Sequence, residues 1–276
     1  MANIQFTSGT TGYPKAVTLS HYNILNNAQY IAQFLDLSPV DRICIPVPLY
    51  HCFGMVIGNL ACMNSAATMV YSNGSFDPQT TLDAVQAHKC TGLYGVPTMF
   101  TAVLAELDQK QYDVSTLSKG VMAGSVCPEP LLKNVFEKLN MYGMSVAYGM
   151  TELSPVASMM GADAPFEKKT STVGHCAPMV EIKLIDENSK IVPVGQKGEV
   201  CVKGYLTMQK YWNDAEKTAE TLRDGWVHSG DIGVIDAEGY LSIVGRSKDM
   251  IIRGGENISP FEIETFFDKR KWIRDI

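Results

Sequence analysis

At 276 residues, 46% hydrophobic and 19% charged, the chain has ordinary globular composition and is long enough to bury a substantial core, in about two domains. A net charge of -6 with no long basic run argues against nucleic acid or an anionic membrane surface as the main partner. The longest apolar run, Phe53 to Met63, is interrupted by Asn59 and is too short to span a bilayer, so no transmembrane segment is expected.

Near the start lies Thr7-Ser8-Gly9-Thr10-Thr11-Gly12-Tyr13-Pro14-Lys15, a loop rich in donors with little side-chain bulk. Its glycines let backbone N–H groups converge on an anion, and Lys15 adds a point charge, which suits a polyphosphate. It is not a Walker loop, because Pro14 precedes Lys15 and Ala16-Val17-Thr18-Leu19 reads as extended chain rather than a first helical turn. Composition alone leaves a phosphate loop and a plain Ser/Thr/Gly surface turn both open.

After the loop, Ser20 is placed to cap a helix whose apolar positions Ile24, Ala28, Ile31 and Leu35 end before Pro39. Ile43 to Val47 reads as a buried strand, a helical or mixed segment follows from Gly54, and Ala67 to Tyr71 is the next strand. Asp77-Pro78 caps a helix with Leu82 and Val85 facing inward. Thr91 to Val96 and Leu117 to Ala123 are strand-like, Pro128 leads into a helix carrying Leu132, Val135, Phe136 and Leu139, and Ser145 to Tyr148 returns as a strand. This alternation implies an α/β fold with a largely parallel sheet and crossover helices, whose ligands bind at the carboxyl ends of strands. Thr7 to Lys15, Ala123 to Cys127 and Tyr148 to Glu152 are read as strand-exit loops sharing one mouth.

From about Gly161 the pattern alternates through Glu181–Ile185 and Glu199–Lys203, with turns at Asn188, Gly195 and Asp236–Gly239. That describes a smaller antiparallel β subdomain. The expected organisation is therefore 1–160 as an α/β nucleotide- and acyl-binding subdomain, 161–245 as the antiparallel subdomain, and 246–276 as a hinge and the start of a lid. Seven scattered cysteines, Cys44, Cys52, Cys62, Cys90, Cys127, Cys176 and Cys201, lack a Cys-x-x-Cys pair and suit a reducing compartment. His51-Cys52 and His175-Cys176 are not read as zinc sites, since adjacent side chains do not normally converge on one metal.

Four further stretches stand in order after the loop: Tyr148-Gly149-Met150-Thr151-Glu152, Gly198-Glu199-Val200-Cys201-Val202-Lys203-Gly204, Trp226-Val227-His228-Ser229-Gly230-Asp231 and Gly245-Arg246-Ser247-Lys248-Asp249. Together the five resemble the adenylate-forming (AMP-binding) superfamily of acyl-CoA synthetases, luciferases and peptide-synthetase adenylation domains. The likeness is closest to the acyl-CoA synthetase family member 2 group of mitochondrial medium-chain fatty acid ligases. It rests on Asn3-Ile4-Gln5-Phe6, Pro48-Leu49-Tyr50-His51-Cys52 and the run from Gly245 to Ile258.

The resemblance implies a two-step reaction: a carboxylate attacks the α-phosphorus of ATP to give acyl-AMP and pyrophosphate, and the CoA thiol then displaces AMP. It implies ATP, Mg²⁺ and CoA as cofactor and co-substrates, with fatty acid, ATP and CoA as the small-molecule partners. Lys15 and the loop residues Thr7, Ser8, Gly9, Thr10, Thr11 and Gly12 would wrap the β- and γ-phosphates. Thr151 would donate to the α-phosphate, and Glu152 would hold Mg²⁺. Tyr148 offers an aromatic face to adenine beside the small residues Gly124 and Ser125, Asp231 accepts the ribose hydroxyls, and Arg246 donates to the same sugar. Singly, Asp231 is also a turn residue, Glu152 an acid at a helix start and Tyr148 a core aromatic; the joint pattern favours the functional roles.

No acidic residue lies between Ile43 and Phe76, so an amino-acid substrate would bury its ammonium without a partner there. An apolar acyl chain fits better, lined by Tyr50, His51, Phe53, Tyr94, Gly95 and Val96, with a satisfied polar residue beneath the loop as the alternative for His51. Ala16 and Ser229 depart mildly from the family's usual glycine and threonine. Lys248 is expected at the hinge to a C-terminal lid that normally carries a catalytic lysine in a Gly-Lys context, and the chain stops at Ile276 without one. The expectation is thus an enzyme fragment, cut at both ends and impaired in turnover. A non-catalytic nucleotide-binding fragment and an adenylating enzyme with another acceptor remain as alternatives. Mitochondrial residence follows from the resemblance alone, as no targeting segment is seen; otherwise a cytoplasmic location is expected.

Overall fold

Ser20 both ends one element and begins the next. Its Oγ accepts from Asn23 N–H at 3.1 Å while Asn23 Oδ1 accepts from Ser20 N–H at 2.8 Å, a reciprocal cap that starts the helix His21–Phe34 directly after the strand Lys15–Leu19. Ile24, Ala28 and Ile31 are buried along it as their spacing predicts, and Asn23 and Asn27 are buried with them. A computed structural model describes residues 1–7, 14–125, 127–247, 260 and 267, together with the backbone of 251–253 and 256–258. Ser8, Gly9, Thr10, Thr11, Gly12 and Lys248 lie outside the described residues.

The main sheet has seven strands in the order Thr68–Val70, Arg42–Cys44, Gly92–Gly95, Lys119–Ala123, Gly143–Gly149, Val156–Met159, His175–Cys176. The first five pair in parallel and the last two antiparallel, so the parallel reading holds with an antiparallel extension at one edge. Ile43 to Val47 stays buried, but the strand is only Arg42–Cys44; Ile45 N–H adds one more bond, to Val70 O at 2.9 Å, and Pro46 and Pro48 have no N–H to continue the ladder. Helices cover both faces, as a parallel sheet requires. One face packs on Ile24, Ala28, Ile31, Val56 and Ile57; the other packs on Leu82, Val85, Phe100, Val103, Leu132 and Val135. Each of the Ile, Val, Leu and Phe side chains among them contributes roughly 1.5–3 kcal/mol by its burial.

The helix Pro78–His88 is capped by Asp77, whose carboxylate accepts from Thr80 N–H at 2.8 Å. A further helix, Pro97–Gln109, follows the strand Gly92–Gly95 with proline in its first turn and buries Phe100, Val103 and Leu104. The mixed apolar segment becomes a wide π-type helix, Phe53–Leu60, continuing into Ala61–Ser65.

The second unit is an antiparallel sheet of Val180–Ile185, Gly198–Gly204, Trp226–Ile235 and Leu222–Arg223, with Leu241–Arg246 on Trp226–Ile235. A third sheet joins Asn3–Thr7, Lys15–Leu19 and Lys210–Tyr211. The loop after Thr7 therefore links two hairpin strands, with Thr7 opposite Lys15, and does not leave the parallel sheet. A short connection closes an antiparallel pair, whereas a parallel one needs a crossover. Among the described residues no helix is long and apolar enough to cross a membrane.

Candidate functional site

The strands Lys119–Ala123 and Gly143–Gly149 end at a cavity of about 590 Å³, at the carboxyl edge of the parallel sheet. Gly124 and the run Tyr148 to Glu152 form its floor, Thr7 and Lys15 enter from the hairpin sheet, and Ser229, Gly230 and Arg246 close it from the antiparallel sheet. His51, Phe53 and Ile57 complete the wall. Thr7 and Lys15, Ala123 and Gly124, and the run Tyr148 to Glu152, taken from the three loops grouped from the sequence, thus line one opening, although the first pair arrives from a different sheet.

Glu152 sits in the short turn Thr151–Leu153 with only 3% of its side chain exposed. Its backbone carbonyl accepts from Met208 N–H at 2.8 Å, and its Oε1 accepts from the Tyr211 hydroxyl at 2.6 Å. Lys15 Nζ donates to that same hydroxyl at 3.0 Å and lies 3.6 Å from Glu152 Oε1. Burial, and then the neighbouring carboxylate, push the Tyr211 phenol well above its ordinary range, so it remains a donor. A buried carboxylate beside an ammonium facing a cavity can take a divalent cation and the phosphates that cation carries.

On the opposite side, the Tyr148 hydroxyl donates to Asp231 Oδ2 at 2.8 Å, and Arg246 Nε donates to Asp231 Oδ1 at 3.0 Å. Asp231 itself is 7% exposed, and Tyr148 and Arg246 present the surface it organises. Burial, then the charge of Asp231, raise the Tyr148 phenol well above its usual value. Gly230 precedes Asp231 at φ 75°, with open space where a Cβ would stand; Ser229 Oγ accepts from Asp231 N–H at 3.0 Å and donates to Val200 O at 2.7 Å.

Two observations fit a bound nucleotide. Thr7 Oγ1, at the entry to the glycine-rich loop, is buried with no hydrogen-bond partner among the described residues. Gly124 takes φ 95° at the cavity floor, and a Cβ there would meet only Val96 Cγ1, at 3.2 Å, so the backbone is open to a flat ligand.

Of the residues expected to line the acyl pocket, His51 and Phe53 reach the cavity, and His51 Nδ1 accepts from Phe53 N–H at 3.1 Å. Tyr94 is 1% exposed and packs behind Phe53 at a ring separation of 6.4 Å; Gly95 and Val96 continue beneath, and Ser125 and Tyr50, the latter 85% exposed, stand outside the lining. Tyr211, Glu199 and His228 line the cavity without having been singled out from the sequence. Only the pairing of Tyr211 with Val17 in the hairpin sheet brings it there. Glu199 and His228 lie inside two of the family-like stretches and were visible without a role. Glu199 Oε1 accepts from Gly230 N–H at 3.1 Å, and its Oε2 is 3.3 Å from His228 Nδ1. All seven thiols are free.

Comparison with known proteins matches the family model described as AMP-binding enzyme to residues 1–212. The chain is 46% identical to the putative acyl-CoA synthetase YngI of Bacillus subtilis, over 99% of this chain and 50% of that protein. It is 44% identical to the mitochondrial medium-chain acyl-CoA ligase ACSF2 of Rattus norvegicus, over 99% of this chain and 45% of that protein. The chain thus spans about half the length of the curated relatives it matches. Among solved structures, ATP-bound MatB from Rhodopseudomonas palustris superposes with a TM-score of 0.88 at 31% identity, over 96% of this chain and 52% of that one. MenE from Bacillus subtilis, in complex with ATP and magnesium ion, gives 0.87 at 28%, over 99% and 55%.

Proposed function

Because the chain belongs to the AMP-binding enzyme family, we propose that it carries the nucleotide- and acyl-binding part of an AMP-forming acyl-CoA ligase acting on a medium-chain fatty acid. The observation that carries this reading is the convergence of Lys15, Glu152 and the Tyr148–Asp231–Arg246 group on one cavity. The organisation proposed for it is 1–160 for nucleotide and acyl binding, 161–245 as the antiparallel support, and 246–276 as hinge and lid start, with Lys248 at the hinge.

In this scheme Glu152 is the residue that would hold Mg²⁺, and the Lys15 ammonium, paired with it here at 3.6 Å, would meet the β- and γ-phosphates. Mg²⁺ held there would neutralise phosphate charge as pyrophosphate leaves. Thr151, 7% exposed beside Glu152, donates its hydroxyl to the α-phosphate. Asp231 accepts the ribose hydroxyls while Tyr148, anchored through its own hydroxyl, keeps its ring against adenine in the space left by Gly124. The apolar walls Phe53 and Ile57, with His51, take the acyl chain and exclude water from the carboxylate. CoA is the proposed acceptor, and mitochondrial residence is proposed from the names of the ACSF2 relatives.

The test is calorimetric titration of the full 276-residue chain with ATP and Mg²⁺, followed by octanoate-dependent exchange of pyrophosphate into ATP and octanoyl-CoA formation on adding CoA. Saturable ATP binding that weakens about ten- to a hundredfold in Asp231→Ala is expected, the cost of losing charge-assisted hydrogen bonds. No saturable binding, or binding indifferent to both Asp231→Ala and Glu152→Gln, sinks the reading.

A further inference from the structure

On the wall that the nucleotide scheme leaves unused, Cys201 Sγ lies 3.5 Å from His228 Nδ1, and Glu199 Oε2 lies 3.3 Å from the same nitrogen. Cys201 and His228 are directly opposite across the pair Gly198–Gly204 and Trp226–Ile235, and the register shifts between Glu199 and Cys201. Glu199 and Cys201 share a face by their alternation on one strand, and the extra residues fall on the facing strand between His228 and Ile232, so that carboxylate and thiol both approach one imidazole. Glu199 Oε1 is held by Gly230 N–H, which leaves Oε2 directed at the ring.

Deprotonated, a thiol sulfur, a carboxylate oxygen and an imidazole nitrogen are each lone-pair donors and the three recurrent ligand types of zinc. A cation in the middle meets a lone pair from all three. The three ligand atoms lie within 4.8 Å of one another, and a tetrahedral zinc spaces its ligand atoms roughly 3.3–3.6 Å apart. The geometry points to a site for a single zinc-class divalent cation on Glu199, Cys201 and His228, separate from the magnesium assigned to Glu152.

The donor set selects the metal. A thiolate and an imidazole favour zinc over magnesium, which prefers hard oxygen donors. Thiolate and carboxylate together carry two negative charges, so the occupied site is neutral. Binding forms the zinc–sulfur bond and releases the Cys201 thiol proton to solvent. Cys201 is buried, and His228 and Glu199 line the cavity, so a metal held by the three would face the opening on one side. The Gly230 N–H on Glu199 Oε1 is the kind of outer hydrogen bond that orients a metal ligand. This inference is independent of the nucleotide reading.

The experiment is titration of the metal-free, fully reduced 276-residue chain without nucleotide, using Zn²⁺ against a chromophoric chelator and Co²⁺ followed by absorption. One Zn²⁺ per chain is expected, with a thiolate-to-cobalt charge-transfer band and the strong visible absorption of tetrahedral cobalt. Cys201→Ser removes the band, and Glu199→Gln, which keeps an oxygen for Gly230, and His228→Ala each weaken Zn²⁺ binding at least tenfold. Cys176→Ser, at a half-buried thiol elsewhere, leaves both unchanged. If Cys201→Ser does not fold, Glu199→Gln and His228→Ala decide the matter. Absence of stoichiometric binding, or a band and affinity that survive these substitutions, overturns the proposal.

Discussion

Tyr211 stands between Lys15 and Glu152 as a relay, donating to the Glu152 Oε1 at 2.6 Å and accepting from the Lys15 ammonium at 3.0 Å. The two charges are therefore coupled through a hydroxyl as well as directly, at 3.6 Å. Tyr211 comes from the strand Lys210–Tyr211, so one phenol ties that strand to the hairpin lysine and to the turn after the parallel sheet.

Replacing Tyr211 by Phe removes this hydroxyl while keeping the buried ring. A hydrogen bond to a charged group contributes about 1.5–3 kcal/mol, and for a chain of this size that lowers the thermal midpoint by about 3–10 °C. Differential scanning calorimetry reads the shift directly. A midpoint unchanged within a degree would show that Lys15 satisfies Glu152 without the tyrosine.

The paired substitutions Tyr148→Phe and Tyr148→Ala separate anchoring from stacking. Phe loses the bond to Asp231 Oδ2 but keeps the ring, so ATP affinity falls about tenfold; Ala loses the face as well and falls further by about the same factor. Titration with a non-hydrolysable ATP analogue measures both. Equal losses in the two variants would remove the ring from the account.

Asn27 is buried on the helix His21–Phe34, where its Nδ2 donates to Val156 O at 2.8 Å and its Oδ1 accepts from Val156 N–H at 3.1 Å. It completes the backbone of the strand Val156–Met159 as a neighbouring strand would. Asn27→Ala strands one buried donor and one buried acceptor, at about 2–5 kcal/mol in total. Urea unfolding is the check, and a loss below about 1 kcal/mol would mean that water replaces the amide.

Period and punctuation made much of this fold readable. Asp77-Pro78 announced a helix that forms with Thr81, Leu82 and Val85 inward, and the alternation at Glu181–Ile185 announced the strand Val180–Ile185. The helix Pro97–Gln109 was not among the elements expected from the sequence, although Pro97, Phe100, Val103 and Leu104 carry the same signals. Burial of Asn23 and Asn27 was not legible, because an apolar stripe says which face turns inward but not which backbone groups wait there. For the site, the motifs named Glu152, Tyr148 and Asp231 but not what holds them. Tyr211 is 59 residues from Glu152 along the chain, and they meet because the strand Lys210–Tyr211 pairs into the hairpin sheet beside the turn Thr151–Leu153. Likewise Cys201 and His228 face each other because of strand register, which residue spacing does not reveal.

Acid sensitivity should trace to Asp41, at the amino ends of three adjacent parallel strands. Its side chain, 6% exposed, accepts from Ser38 N–H at 2.9 Å, Ser38 Oγ at 3.0 Å and Thr91 Oγ1 at 2.8 Å, with Lys119 Nζ 3.4 Å away. Burial alone would raise this carboxyl, but the bonds from Thr91 and Ser38 and the charge of Lys119 outweigh it and hold the group below its ordinary value. A depressed acid contributes stability that is fully present above its unfolded value of about 3.9 and is lost as pH falls through the lower folded value. In Asp41→Asn the urea midpoint should therefore fall below that of the parent near pH 7, and the gap should narrow steadily below about pH 4 as the parent's own carboxylate is protonated. ATP binding, at the opposite end of the sheet, should be unchanged. A gap of constant size from neutral pH down to pH 3 would mean that shape rather than charge sets the contribution of Asp41.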